Sequence, residues 1–278
     1  MTSLYIAPHL DDIALSCAGG VLARTRSGRR VVACTVFTKT GDPDVDRTRS
    51  DEDARAMALA RAERVDLGFD DAPVRIGVSA SFRSLALDAA IDRGLVRELT
   101  RVFAAEIGRV GATEVWMPLG IGGHIDHRTV FAARAAAGPL ARFYEDRPYA
   151  FVPAFRDMRR LELVGGKLAR PPDAAAIAHQ LADGGCAALA VEPADIATLA
   201  ARLARRRAPT GAVVRTHVSR YDLSTLGDAV AMIEAYGSQV SWLFGGTTAR
   251  ELWTRLAARP TGWYEREVRL VTTRSLVY

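Results

Sequence analysis

Residues 7–17 read APHLDDIALSC, and His9-Leu10-Asp11-Asp12 at the centre sets two carboxylates side by side directly after an apolar run. Adjacent acids repel each other and lose solvation wherever they are buried, so the pair needs a reason. A second cluster, Gly122-Gly123-His124-Ile125-Asp126-His127, supplies one. His9 and Asp12 are spaced i, i+3, as are His124 and His127, and in strand-to-helix turns such pairs converge on a point. His9, Asp12 and an imidazole of the second cluster make three protein ligands with an open position. That is the arrangement of a hydrolytic zinc, which lowers the pKa of its water towards ~7. Asp11, beside that water and off the metal, is then placed to act as general base. If His127 is the third ligand, His124 faces the substrate as a proton donor or as a cation that stabilises a tetrahedral oxyanion. Asp126 is placed to orient one of these rings through its other nitrogen. The reaction class that follows is metal-assisted hydrolysis of a carbonyl compound. Taken singly, Asp11 or Asp12 also suits a helix N-cap, and it is the two clusters together that favour a site.

The elements that must position these residues read as alternating strands and helices. Residues 4–8, 30–38, 65–69, 113–119 and 142–145 are expected as strands. Residues 13–25, 48–65, 95–107 and 128–137 are expected as helices, with Gly19-Gly20 allowing close packing and residues 79–94 inserted before the third helix. This alternation implies a Rossmann-like α/β fold, a mostly parallel sheet flanked by helices. Ligands in such sheets sit beyond the carboxyl ends of the strands, and both clusters, together with residues 40–46 and Asp70-Asp71, fall just after expected strands. Past residue 150 the chain reads as a mainly helical C-terminal portion, with helices at 174–181, 194–206, 224–236 and 249–258 and a closing strand at 264–272. No linker or repeat interrupts residues 1–278, which are read as a single domain.

Composition narrows the partners. Hydrophobic residues make up 49% of the 278 and charged residues 25%, ordinary globular usage that argues against disorder and coiled coil. The net charge of +5 comes from arginines scattered through alanine-rich segments, with only Lys39 and Lys167 as lysines, so a GC-rich genome explains it better than nucleic-acid binding. Cys17, Cys34 and Cys186 are dispersed and odd in number, which speaks against a disulfide framework or a thiolate metal site and for a reducing cytoplasm. Cys17 fits the core, and His179 and His217, with no convergent acids, fit structural or surface roles. No targeting segment and no membrane span are expected.

APHLDDIALSCAGG together with GGHIDHRTV resembles the PIG-L/LmbE-like family of zinc-dependent N-acetylglucosaminyl de-N-acetylases. Supporting matches are RSDED at 49–53, LGFDD at 67–71, and IEAYGSQVSWLFG at 233–245 with its Tyr-x-Ser-Gln helix, so the resemblance runs along nearly the whole chain. It implies one Zn2+ per chain held by His9, Asp12 and His127. It further implies Asp11 as general base, His124 as acid or oxyanion stabiliser, and Arg49 and Asp71 at positions that grip sugar hydroxyls. For Arg49 and Asp71 the plainer alternative is an ion pair that fixes a helix. The implied substrate is a small N-acylated molecule, an aminosugar or a natural-product intermediate; a homo-oligomer is compatible with this. Leu10 and Ile13 replace the proline and glutamate of the commoner HPDDE form. Gly122-Gly123 stand where some members carry a mobile tyrosine that donates to the oxyanion, so that donor must be His124, the metal or a group from elsewhere. FYEDRPYA at 143–150 resembles a segment of stand-alone bacterial members, in which Arg147 and Tyr149 either touch substrate or belong to an edge strand and turn.

Two other functions compete. Amidase action on a thiol conjugate would use the same metal centre. From a different class, His124, Asp126 and a distant histidine match the 2-His-1-carboxylate triad of non-haem iron oxygenases, a reading that leaves the acids after the first strand unexplained. A dinucleotide-binding module lacks its GxGxxG.

Overall fold

The computed structural model describes residues 1–184, 191–245, 248–259 and 262–272; Cys186 lies outside the described residues. The first strand, β1 (Thr2–Ala7), is buried from Ser3 onward, and its apolar residues point to both faces as a central parallel strand requires. Leu4 and Ile6 enter one core with Leu99, Phe103 and Phe155. Tyr5 and Ala7 enter the other with Ile13, Met57 and Trp253.

β2 (Arg30–Lys39), β3 (Glu63–Asp70), β4 (Glu114–Pro118) and β5 (Ala141–Tyr144) complete the parallel part. β6 (Ala212–Tyr221), the two-residue β7 (Ala258–Arg259) and β8 (Gly262–Thr272) add antiparallel pairs, giving the order β3-β2-β1-β4-β5-β8-β6 with β7 beside β8. The mostly parallel sheet flanked by helices is therefore the architecture expected from the alternation. Two successive connections carry the chain from β1 outward to β3, and the return to β4 on the other side of β1 makes the β1/β4 boundary the switch point, where side chains from two loops can meet.

The helices are α1 (Asp12–Arg26), α2 (Pro43–Ala60), α3 (Ala72–Ile76), α4 (Arg93–Val110), α5 (Ile125–Ala132), α6 (Pro153–Val164), α7 (Ala174–Asp183), α8 (Pro193–Ala204), α9 (Leu226–Glu234), α10 (Gly237–Leu243) and α11 (Ala249–Leu256). The C-terminal portion is largely helical, but it also contributes the ten-residue β6, where the sequence suggested no strand. α2 starts at Pro43 and not at residue 48, because Asp42 caps it by accepting from Asp44 N and Val45 N and Pro43 fits the first turn. α5 starts three residues early for a similar reason, with His124 as its capping residue.

Gly19 of α1 lies where a Cβ would come within 2.6 Å of Tyr221 and 2.7 Å of Trp263. Its N–H and that of Gly20 donate to the Glu265 carboxylate of β8 at 2.7 and 3.0 Å. The glycine pair thus joins the first helix to the last strand. Among the described residues no helix is long and apolar enough to cross a membrane.

Candidate metal centre and catalytic cleft

The chain leaves β1 at Ala7, turns through His9 and Asp11, and enters α1 at Asp12. Asp11 is the N-cap residue, yet its side chain makes no capping hydrogen bond. The Asp12 carboxylate is used differently, since Oδ2 accepts from His9 N at 2.8 Å and this closes the turn. From β4 the chain passes through Gly120, Ile121 and Gly122 before α5. Gly122 has φ +86, and a Cβ there would lie 2.4 Å from the Tyr149 ring, so only glycine fits this turn.

Three atoms converge from the two turns. Asp12 Oδ2 lies 3.5 Å from His9 Nδ1 and 3.5 Å from His127 Nε2. These three residues form a group whose ligand atoms all lie within 4.8 Å of one another. The edge of a tetrahedron with bonds of about 2.1 Å is about 3.4 Å, so both separations suit zinc. His127 Nε2 is buried without a hydrogen-bond partner among the described residues. An orphaned imidazole nitrogen facing a carboxylate oxygen costs stability unless a cation lies between them, and on this ground the residues fit a metal ion.

The opposite ring nitrogens are held by carboxylates. His9 Nε2 pairs with Asp126 Oδ2 at 3.1 Å, and His127 Nδ1 with Asp146 Oδ1 at 2.7 Å. Asp146 Oδ2 also accepts from Gly120 N and Ile121 N, each at 2.8 Å, so one carboxylate fixes both the loop and the ring that the loop carries. Asp126 is fully buried; its Oδ1 accepts from Arg75 Nη2 and its Oδ2 also accepts from Ala72 N at 3.0 Å.

A cavity of about 230 Å3 opens over this centre and is lined by His9, Asp11, Asp12, His124 and His127, with Arg49 and Asp71 also in its wall. Of the candidate site residues named from the sequence, all but Asp126 line this cavity, and Asp126 stands behind His9. No ion pair joins Arg49 to Asp71 among the described residues; Arg49 Nε is buried without a hydrogen-bond partner, and Asp71 caps α3 through Val74 N. His179 and His217 are exposed and do not line the cavity, while Cys17 and Cys34 are buried and unbridged. The residues that the sequence did not single out are Asp146 and Arg75. Asp146 lies inside FYEDRPYA, but an aspartate after a short strand has no spacing signature of its own.

Charge in the cleft is uneven. Burial works against a charged His9, yet hydrogen bonds to Asp12 and Asp126 outweigh it and bring the imidazole to about 10. Burial, joined by the neighbouring His9 charge, pulls His124 down to about 3. Burial opposes a charged His127 too, but Asp12 and Asp146 raise it above the ordinary value. Asp12 would be raised by burial, and His127 and His9 instead hold it below the ordinary carboxylate value. Asp11 is raised, first by burial and then by the Asp12 charge. The two adjacent acids are therefore driven apart, one held as an anion and the other made more basic.

Residues 4–137 match the family model described as PIG-L, GlcNAc-PI de-N-acetylase. A curated relative, the 2'-N-acetylparomamine deacetylase of Streptomyces fradiae, is 37% identical over 164 residues, covering 53% of this chain and 57% of its own. The match thus spans little more than half the length of that relative. The zinc-inhibited form of a teicoplanin deacetylase superposes with a TM-score of 0.64 at 20% identity, over 98% of this chain and 99% of that one. A deacetylase–teicoplanin complex gives 0.65 at 20% identity over the same shares. A conserved protein from Thermus thermophilus gives 0.52 at 16% identity, over 99% and 96%. At these identities the structural likeness speaks for the fold.

Proposed function

The chain belongs to the PIG-L/LmbE-like deacetylase family, and from that premise we propose that it is a zinc-dependent hydrolase that removes an N-acyl group, acetyl in the simplest case, from an aminosugar-containing small molecule or natural-product intermediate. The observation that carries this reading is His127 Nε2, buried and unpartnered opposite Asp12 Oδ2 and in reach of His9 Nδ1. His9, Asp12 and His127 hold one zinc ion, which when bound acidifies water and polarises the amide carbonyl. Asp11, made more basic by burial and by Asp12, takes the proton of the attacking water and returns it to the departing amine nitrogen.

His124 acts as a neutral donor. Its Nδ1 accepts from Asp126 N at 3.2 Å, which places the ring proton on Nε2, and burial disfavours the charged ring. That N–H is available to the carbonyl oxygen as negative charge develops there, in place of a tyrosine before the second motif. Asp126 and Asp146 orient His9 and His127. Arg49 and Asp71 bind sugar hydroxyls. The aminosugar class is supported by the curated relative, whose name places its action on an acetylated paromamine. Because one sheet takes strands from both ends of the chain, residues 1–278 are read as a single domain.

His9, His124 and Asp126 also lie close enough to form a second potential ligand set. Both Asp126 oxygens are taken, one by the Arg75 guanidinium and the other by Ala72 N and His9, so this set serves as support for the first. The test is release of primary amine, read with fluorescamine, from N-acetylated aminosugars, their glycosides and thiol conjugates. It is run with zinc-loaded protein, aerobically and without oxygen. Amine from the aminosugars under both conditions is expected. Amine from thiol conjugates alone would make the protein an amidase of that class, and turnover that needs oxygen would overturn hydrolysis.

A further inference from the structure

A second cavity, of about 450 Å3, adjoins the catalytic one at Arg147, the residue that lines both. Its wall brings together Arg147 from the loop after β5, Arg156 of α6 and Arg266 of β8, with Phe151 and Val218 as apolar surface. The head of Arg147 belongs to this second cavity. Nη2 donates to Tyr264 O and Cζ lies 5.3 Å from the Phe151 ring centroid, and both Tyr264 and Phe151 line the second cavity and not the first.

Gathering guanidiniums from three elements costs repulsion, and burying one costs solvation besides. Arg147 is only 6% exposed, and burial lowers its pKa against the pull of Glu265 and Glu145. Neither acid answers the cluster. Glu265 is engaged elsewhere, its two oxygens accepting from Gly19 N and Gly20 N. Glu145, the acid in the cavity wall, approaches Arg266 no closer than 3.7 Å, and burial raises its carboxyl. Arg156 enters no ion pair among the described residues. Arg147 Nη1 is buried and has no hydrogen-bond partner among the described residues. A buried donor so placed is costly unless water or an anion meets it.

We propose that this second cavity binds a phosphate monoester, with Arg147, Arg156 and Arg266 around the phosphate and Phe151 and Val218 against its organic part. The arginines outnumber the acid of the wall by two charges, which a phosphate dianion balances and a carboxylate only halves. Planar guanidiniums also pair with the oxygens of such a group through two parallel hydrogen bonds each. The volume far exceeds an inorganic ion, which points to an ester. Binding is read without turnover, so the outcome is independent of the deacylase reading.

The experiment is calorimetry of zinc-loaded protein with phenyl phosphate and with benzoate at about pH 7.5, where the monoester is mainly a dianion. Wild type is compared with Arg156→Gln, Arg266→Gln and Arg156→Lys, and with Arg49→Gln, which alters the catalytic cavity alone. Wild type is expected to bind phenyl phosphate saturably and benzoate more weakly. Arg156→Gln and Arg266→Gln should each weaken phenyl phosphate by about tenfold or more, the scale of one charge-assisted hydrogen bond. Arg156→Lys, which keeps the charge without the planar fork, should recover part of the loss, and Arg49→Gln should bind as wild type does. Affinity that falls with Arg49→Gln but not with Arg156→Gln or Arg266→Gln would put the anion in the catalytic cavity and overturn the site. Absence of saturable binding would overturn it too, and benzoate binding as tightly as phenyl phosphate would overturn the dianion.

Discussion

At the scale of single residues, the centre divides labour between neighbours that differ mainly in what surrounds them. Asp12 faces two histidines and stays anionic, while Asp11 faces the cavity with burial raising its pKa. Asp11→Asn is expected to retain zinc at wild-type stoichiometry and to lose about two or more orders of magnitude in kcat, the scale of a general base. Zinc content by atomic emission and steady-state rates check both halves, and full activity would remove Asp11 from the chemistry. Asp146→Asn probes the support behind His127. The amide can still accept from Gly120 N and Ile121 N but no longer offers a carboxylate to Nδ1, so zinc affinity should fall about 10- to 100-fold, measured by competition with a chromogenic chelator. Unchanged affinity would show that Asp146 serves the loop alone. The sequence displays His9, Asp11, Asp12, His124 and His127 because their types and spacing form a pattern within two short stretches. It hides Asp146 and Arg75, whose roles arise only when the loop after β5 and the short helix α3 after β3 are brought against those turns.

At the scale of elements, the strands on which the site depends are legible because both their faces are buried and the apolar runs are unbroken. β6 is not, since it is an outer strand of the sheet and mostly exposed, and Arg215, Thr216, His217, Ser219 and Arg220 leave no apolar run to mark it. α6 is obscured for another reason. Its buried face includes Arg159, whose Nε donates to Leu119 O at 2.6 Å, so a charge sits where the helical pattern calls for an apolar residue. That arginine also braces the exit from β4, lying against Gly120 in the loop that Asp146 fixes. The start of α2 was hidden in a polar stretch that resembles a loop, although Asp42-Pro43 is a strong opening signal. Asp42→Ala should therefore cost about 1 kcal/mol and speed amide exchange in the first turn of α2 specifically. Urea denaturation and hydrogen exchange read these effects, and unaltered exchange at Asp44 and Val45 would refute the cap.

At the scale of the whole molecule, stability depends on how the two central strands are joined at the end of the sheet away from the cleft. Tyr5 of β1 stacks on Trp116 of β4 with ring centroids 5.6 Å apart, and the Arg24 guanidinium lies 4.6 Å from the Trp116 ring. Arg24 Nε also donates to Glu114 Oε1 at 2.6 Å, and Ser3 Oγ donates to the same oxygen at 2.6 Å. Burial would raise the Glu114 carboxyl, but the bonds from Arg24 and Ser3 outweigh it and bring it to about 2. The folded chain thus holds the carboxylate more strongly than the unfolded one, where the ordinary value is 4.5. Its stabilising contribution is complete above the unfolded value and is lost as pH falls through 4.5 towards about 2. Because the group is partly exposed, roughly 1–2 kcal/mol is expected near neutral pH. Glu114→Gln should be less stable than wild type by that amount at about pH 7, and the gap should shrink as pH falls from about 5 to about 3. Taking the difference between the two proteins at each pH removes the titration of the cleft, which both share. Urea unfolding across this range is the measurement, and a gap that stays constant would show that Arg24 and Ser3 do not hold Glu114 as an anion.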